Sequence, residues 1–557
     1  MRAELAAATR RWIDHDVDAG SREELRALLA AAEAGSTDAV RELDERMSGQ
    51  PGFGTAGVRA PVRAGANGMN RAVVVRTTAG VASWLADHGF GGGTAVVGRD
   101  ARHGSAEFAA DAAGVLAAAG FDVRVLPGPL PTPVLAAAVR DLDAVAGVQI
   151  TASHNPPRDN GYKLYLRGGI HLVSPTDTEV EEAIAAAPPA AEVPRAESWT
   201  TQHDALENYL SRVAVLPRGP AGGSAQGPAR RLRIAATALH GVGARPLVEA
   251  LRRAGFDDVH LVAAQTEPDP DFPTAEFPNP EEPGATDLLL ELAEEVDADL
   301  AVALDPDADR CALGVREDGR WRMLRGDETG VLLGDHLLSH LDRTAHPDPL
   351  VATTVVSSSM LRSVAERRGV RFDETLTGFK WLVRAGDGNG TGLVYAYEEA
   401  LGHCVDPDRV RDKDGISTAV LGCDLAATAK AAGRDLPGLL DALFAEHGVH
   451  RTGQLSVRVT DLTVIAGIMA RLRAEPPAAL ARVPVRTEDL LPDTDALLVT
   501  GAGGLRLVVR PSGTEPKLKC YFQVVEQVGG TLAEAKAAAD RRLAELREAV
   551  SDLVGGD

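Results

Sequence analysis

Three stretches of this chain repeat one order of elements, and that recurrence limits the fold more than any other feature. Each begins with a strand running into a small-residue loop and then a helix: Val96-Val97-Gly98-Arg99-Asp100, Ile234-Ala235-Ala236-Thr237 and Val351-Ala352-Thr353-Thr354-Val355-Val356. Each continues with a helix end and a new strand, at 119–125, 254–261 and 369–376. Each closes with an apolar strand that stops at polar residues. Residues 146–150 run into Thr151-Ala152-Ser153-His154, residues 301–304 into Asp305-Pro306-Asp307, and residues 393–397 into Glu398-Glu399. Single matches come cheaply in a chain rich in Ala and Val, but the shared order does not. The pattern predicts three related α/β domains. Ligands gather at the carboxyl ends of strands in such domains, so a cleft between them would hold all three polar clusters.

At 557 residues the chain exceeds what one core can serve. Residues 1 to about 48 read as a helical extension, with apolar positions spaced among charges. Residues 217–228, rich in Gly and Pro, read as a linker or loop. Beyond about 445 the threefold pattern ends and a differently built fourth unit follows. The expected division is 1–200, the extension with a first α/β domain; 201–320 and 321–445, the second and third; and 446–557, a smaller α+β domain.

A hydrophobic content of 45% with 25% charged residues is that of a folded, water-soluble chain. No run reaches the roughly 18 apolar residues a membrane helix needs. Residues 1–11 lack the apolar core of a secretory signal, so the expected compartment is the cytoplasm. Cys311, Cys404, Cys423 and Cys520 have no metal-ligand spacing and read as reduced, buried thiols. The net charge of −22 argues against nucleic acid as a partner. It leaves room for a small anion met by local cations, and Arg59, Lys163, Arg310, Lys380, Arg510 and Lys517 all lie in unusual loops.

The loops carry the chemistry. Ser153 stands where a buried strand breaks into Asn155-Pro156-Pro157, with His154 and Lys163 near it in sequence. It is a candidate nucleophile or phosphate carrier, and a turn in which Ser and Asn satisfy backbone groups is the alternative. Asp305, Asp307 and Asp309 alternate along one loop. Three such carboxylates repel unless a cation sits among them, and hard oxygen donors suit Mg²⁺; an EF-hand lacks its Gly and terminal Glu here, and a solvated acidic turn is the bland account. Glu398 and Glu399 suit sugar hydroxyls. Arg510, Ser512, Gly513, Thr514 and Lys517 bring together donors for a phosphate, unless they only cap a turn. Gly54, Thr55, Gly57 and Arg59 suit an anion equally, with a plain tight loop as the competitor.

As a set, Thr151-Ala152-Ser153-His154-Asn155-Pro156, Asp305-Pro306-Asp307-Ala308-Asp309-Arg310 and Arg510-Pro511-Ser512-Gly513-Thr514-Glu515-Pro516 resemble the α-D-phosphohexomutase superfamily from about residue 50 onward. The helical extension, Leu239-His240-Gly241-Val242-Gly243 and Thr375-Leu376-Thr377-Gly378-Phe379-Lys380-Trp381 look like its phosphoglucomutase-2/phosphopentomutase-like branch. The resemblance implies four domains around a central cleft. It implies Ser153 carried as phosphoserine, Mg²⁺ held by Ser153, Asp305, Asp307 and Asp309, and catalytic support from His154, Lys163 and Arg59. Arg310, Thr377, Gly378, Lys380, Glu398, Glu399 and the Arg510 loop would bind the substrate. The implied reaction moves a phosphoryl group between the 1- and 6-positions of a hexose phosphate, glucose favoured, through a sugar 1,6-bisphosphate. A phosphopentomutase working through a pentose 1,5-bisphosphate, a sugar-bisphosphate synthase and a non-catalytic sugar-phosphate binder are the competing functions. One departure bears on the sugar: Glu399-Ala400-Leu401-Gly402 has Leu401 where many hexomutases carry Ser. The oligomeric state is not readable from the sequence.

Overall fold

The computed structural model describes residues 3–54, 57–217, 231–459, 461–512 and 517–555. They fall into two compact units, Met1–Met323 with Gly402–Asp424, and Leu324–Leu401 with Leu425–Asp557.

The first unit opens with three helices, Ala3–His15, Ala19–Glu33 and Thr37–Arg46. Asp18 and Ser36 begin the second and third by accepting from the backbone N–H groups of Ser21 and Ala39. Their apolar sides close over Ile13, Leu25, Leu29 and Leu43, a small core of their own. A six-stranded sheet follows, in the order β1 (Val58–Pro61), β5 (Asp159–Leu166), β4 (Ala146–Ile150), β2 (Thr94–Arg99), β3 (Asp122–Pro129), β6 (Thr200–Thr201). The second sheet has five strands, ordered β11 (Arg320–Met323), β10 (Cys311–Glu317), β9 (Leu300–Leu304), β7 (Ile234–Thr237), β8 (Val259–Leu261).

The threefold recurrence in the sequence is a recurrence of topology. In the first sheet β2 is flanked by β3 and β4, both parallel to it. In the second, β7 is flanked by β8 and β9 in the same way. In the second unit β12 (Leu350–Thr354) lies between β13 (Arg371–Thr375) and β14 (Leu393–Glu398), again parallel. β4 and β9 are buried at every position, which is why they read as unbroken apolar runs. Each then meets an antiparallel neighbour, β5 and β10 respectively. The loop after the third strand of each repeat therefore has no helix to enter, and it is free to hold polar side chains at the strand's end.

The C-terminal part of the second unit is built differently. Its strands pair antiparallel throughout, with Lys517–Glu526 between Val449–Arg458 and Leu505–Pro511. Helices Leu462–Ala474 and Leu532–Gly555 accompany this sheet, whose core includes Leu507, Val509, Leu518, Phe522, Leu546 and Val550. No helix among the described residues is long and apolar enough to cross a membrane. The four cysteines are free and buried.

Candidate active site

Ser153 lies just past the carboxyl end of β4, and its backbone is left-handed, with φ 54°. That conformation costs a non-glycine residue roughly 1–3 kcal/mol unless its surroundings enforce it. The enforcement is visible. The Ser153 N–H donates to Thr151 Oγ1 at 2.9 Å, while its carbonyl accepts from Arg102 Nη2 at 2.6 Å. The side chain is thereby aimed at the second sheet: Oγ donates to Asp305 Oδ2 at 2.8 Å. It also lies 3.1 Å from His154 Nδ1.

The three aspartates follow β9 on a tight turn in which the Ala308 N–H returns to Asp305 O and Ala308 takes φ 56°. Their candidate donor oxygens lie within 4.8 Å of one another, and all three residues are buried. Gly241 supports the turn from beneath, because a Cβ there would meet Pro306 Cα and O at 2.3 Å. Charge in so small a volume demands compensation. Lys163, brought in by β5, donates to Asp307 Oδ2 at 2.6 Å and to Asp309 Oδ2 at 2.7 Å. Thr132 Oγ1 adds a 2.6 Å bond to Asp307 Oδ2. The Arg310 N–H donates to Asp305 Oδ1 at 3.0 Å.

The protonation states follow from this packing. Burial, then the charges of Asp307 and Asp309, push the Asp305 carboxyl well above the usual range. Burial acts on Asp307 in the same direction, but the Lys163 ammonium outweighs it and holds that carboxyl below its ordinary value. For Lys163 burial works against the charge, yet Asp307 and Asp309 more than restore it and the pKa is raised. His154 is pushed well down by burial and by the nearby Arg310 and Arg59 guanidiniums, so it is neutral at pH 7. Arg59 enters on β1, its Nη1 donating to Asn155 Oδ1 at 3.3 Å. Gly57 precedes it at φ 92°, where a Cβ would strike Tyr162 O at 1.7 Å; only glycine lets β1 lie this close to β5.

The triad also suits a cation it does not share with Lys163. Asp307 Oδ1 and Asp309 Oδ1 are buried and have no hydrogen-bond partner. Orphaned carboxylate oxygens cost several kcal/mol unless something positive meets them, and a hard divalent ion is the group such oxygens fit.

Two features escaped the sequence reading. Arg102 and Asp100 lie under the Ser153 loop, and the only sequence signal was that Asp100 ends the first strand of the first repeat. Lys413 brings a second ammonium, 3.6 Å from Asp309 Oδ2 and 3.6 Å from Asp412 Oδ1. Asp412 is itself buried and accepts from Tyr165 Oη at 2.7 Å, with His171 Nε2 at 2.9 Å. The charged run Arg411-Asp412-Lys413-Asp414 was the available clue.

The remaining candidates lie in the second unit. Arg510 Nη1 donates to Thr377 Oγ1 at 2.7 Å, so the 375–381 loop and the strand bearing Arg510 meet. Gly378 takes φ 104°, and Lys380 Nζ lies over the Trp381 ring at 5.3 Å. Glu399 accepts from Ser357 Oγ at 3.1 Å and Thr354 Oγ1 at 3.3 Å, and burial raises its pKa. Glu398 ends β14, half-buried. The Ser512 N–H donates to Lys517 O at 2.8 Å, whereas Gly513 and Thr514 fall outside the described residues. Leu401 is 2% exposed at φ 62°, so its side chain is a packing group.

The sequence agrees with known proteins along most of its length. Models of phosphoglucomutase/phosphomannomutase alpha/beta/alpha domains I, II and III match residues 50–190, 221–319 and 325–447, and the model of the C-terminal domain matches 457–549. A Haemophilus influenzae protein named probable phosphomannomutase is 40% identical over 88% of this chain and 98% of its own. A Mus musculus phosphopentomutase is 30% identical over 100% of this chain and 94% of its own. The fold is shared with the crystal structure of a phosphoglucomutase/phosphomannomutase family protein from Burkholderia thailandensis, at a TM-score of 0.68 and 21% identity, over 90% of this chain and 98% of that one.

Proposed function

The chain belongs to the phosphoglucomutase/phosphomannomutase family and is a phosphomutase, an intramolecular phosphotransferase; from this we propose that it interconverts the 1- and 6-phosphates of a hexose, with glucose as the first substrate to test, through a phosphoserine at Ser153. The observation that carries the reading is the 2.8 Å bond from Ser153 Oγ to Asp305 beside a triad already drawing two bonds from Lys163. We assign the work to four domains, 1–200, 201–320, 321–445 and 446–557.

In the forward step the bond between phosphorus and Ser153 Oγ breaks as one forms to a hydroxyl oxygen of the sugar monophosphate. The hydroxyl proton leaves to a base and a sugar bisphosphate results. That bisphosphate then returns its other phosphoryl group to Ser153. Lys163 and Lys413 are the ammonium groups nearest the triad, and Arg59 and Arg310 extend the positive field over the phosphoryl oxygens. Catalysis of this kind is mostly positioning and charge neutralisation. His154, neutral beside Oγ, is suited to orient that oxygen through a hydrogen bond. Mg²⁺ would be held by Asp305, Asp307, Asp309 and the phosphorylated Ser153, and when bound it supplies charge neutralisation at the transferring group. In the second unit, Glu398 and Glu399 are assigned to the sugar hydroxyls. Arg510, Ser512, Gly513, Thr514 and Lys517, with Thr377, Gly378 and Lys380, are assigned to the phosphate that does not react.

A second reading, mutase action on pentose 1- and 5-phosphates, is favoured by the phosphopentomutase relative that this chain matches from end to end. A coupled assay with Mg²⁺ and a catalytic amount of sugar bisphosphate separates the two, running glucose 1-phosphate, mannose 1-phosphate and ribose 1-phosphate in parallel. Ser153→Ala is expected to lose at least about a thousandfold in kcat. A hexose preference supports the first reading and a ribose preference the second. Turnover surviving in Ser153→Ala would sink both.

A further inference from the structure

We propose that Arg102 is a positioning residue for phosphoryl transfer: its guanidinium forces Ser153 into the left-handed conformation that aims Oγ at Asp305. The inference rests on the mutase reading of Ser153 but concerns a residue outside it. Arg102 follows β2 and its side chain is 1% exposed. Its bonds go to one short loop and are all made to carbonyl oxygens. Nη2 donates to Ser153 O and to Asn155 O, each at 2.6 Å. Nη1 donates to Pro156 O at 2.8 Å and to Asp159 O at 3.1 Å. Carbonyls at 153, 155, 156 and 159 do not converge in an extended or helical chain. They converge here because the loop is wrapped around the guanidinium.

The clamp is itself braced. Asp100 Oδ1 accepts from the Arg102 N–H at 2.9 Å and from Ser105 Oγ at 2.6 Å. Asp100 Oδ2 lies 3.5 Å from Arg102 Nε. On the far side the Phe272 ring sits 4.8 Å from the guanidinium carbon. The guanidinium is thus fixed from three directions. A planar fork with five donors can span four carbonyls; an ammonium with three cannot. A nucleophile displaced by about 1 Å can lose on the order of a hundredfold in rate. A loose loop would leave binding by the second-unit residues intact, so the signature is a fall in kcat with little change in KM.

The test uses Arg102→Lys and Asp100→Asn in the full-length protein, with Mg²⁺. Three readouts are compared with wild type: kcat and KM on the best sugar phosphate, the rate of Ser153 phosphorylation by glucose 1,6-bisphosphate read from intact mass, and amide exchange of the 151–159 peptide. Arg102→Lys is expected to lower kcat and the phosphorylation rate by about thirtyfold or more, to leave KM within about threefold, and to raise exchange in 151–159 alone. Asp100→Asn should give the same pattern more weakly, and it carries the test should the lysine variant not fold. Full kcat and unchanged exchange in 151–159 would overturn the proposal. So would kcat, KM and exchange across the whole first unit worsening together, since that is general destabilisation. A wild-type protein that never acquires a phosphoserine would refute the mutase reading instead, and the exchange data would still judge the clamp.

Discussion

Lys163 illustrates how a single side chain carries two opposed jobs. It neutralises Asp307 and Asp309 through their Oδ2 atoms, and in doing so weakens the pull of the same carboxylates on any divalent ion at their unpartnered Oδ1 atoms. Lys163→Met is therefore expected to bind Mg²⁺ at least about fivefold more tightly by calorimetry while losing most turnover, because removing the ammonium leaves the attraction of the carboxylates undivided. Weaker Mg²⁺ binding in that variant would mean that the lysine organises the triad and does not compete for it. Leu401 makes the opposite case. At 2% exposure it has no surface to offer a sugar, so Leu401→Ser is expected to cost about 3 kcal/mol of stability in denaturant unfolding and to leave the order of preference among sugars unchanged.

Among elements, the loop holding the aspartates depends on a backbone approach. A methyl group at Gly241 would fall 2.3 Å from Pro306, so Gly241→Ala must displace the turn that carries the aspartates. Turnover should fall at least about tenfold with a raised Mg²⁺ requirement in a metal titration. Gly467 is the control. It lies exposed within helix Leu462–Ala474 with open space around it, and Gly467→Ala should stabilise the protein by about 0.5–1 kcal/mol without touching activity. This scale was also where the sequence was most readable. Strands β4 and β9 were legible because an unbroken apolar run ending in polar residues has few other meanings, and Ser153 and Asp305 were legible because they sit directly at those ends. Arg102 and Lys413 were not. In sequence each is one arginine or lysine among many charged neighbours. What distinguishes them, four carbonyls wrapped around one guanidinium and an ammonium held against Asp309, exists only after segments far apart in the chain have packed.

For the whole molecule one buried histidine contributes to the acid limit. His403 is 1% exposed, and burial pushes its pKa down to about 3. The unfolded chain takes up that proton near pH 6.5 and the folded one does not, so stability is lost as pH falls below 6.5, by about 3 kcal/mol at pH 4.5 from this residue. His403→Gln should flatten the acid limb of a plot of unfolding free energy against pH. An unchanged limb would assign the loss to other groups. Connectivity sets a different limit. The first unit takes residues up to Met323 and then reclaims Gly402–Asp424 from further along. That strip supplies Asp412 to Tyr165 and His171, and Asp414 to Tyr209, whose Oη donates to it at 2.6 Å. A gene truncated after codon 323 encodes a polypeptide whose three buried polar groups have lost their acceptors, at roughly 1–3 kcal/mol apiece. It should be recovered in inclusion bodies. The protein cannot be halved by one stop codon, and a recombination event that exchanges its N-terminal 323 residues between relatives must also exchange the short strip Gly402–Asp424 that lies further along the chain.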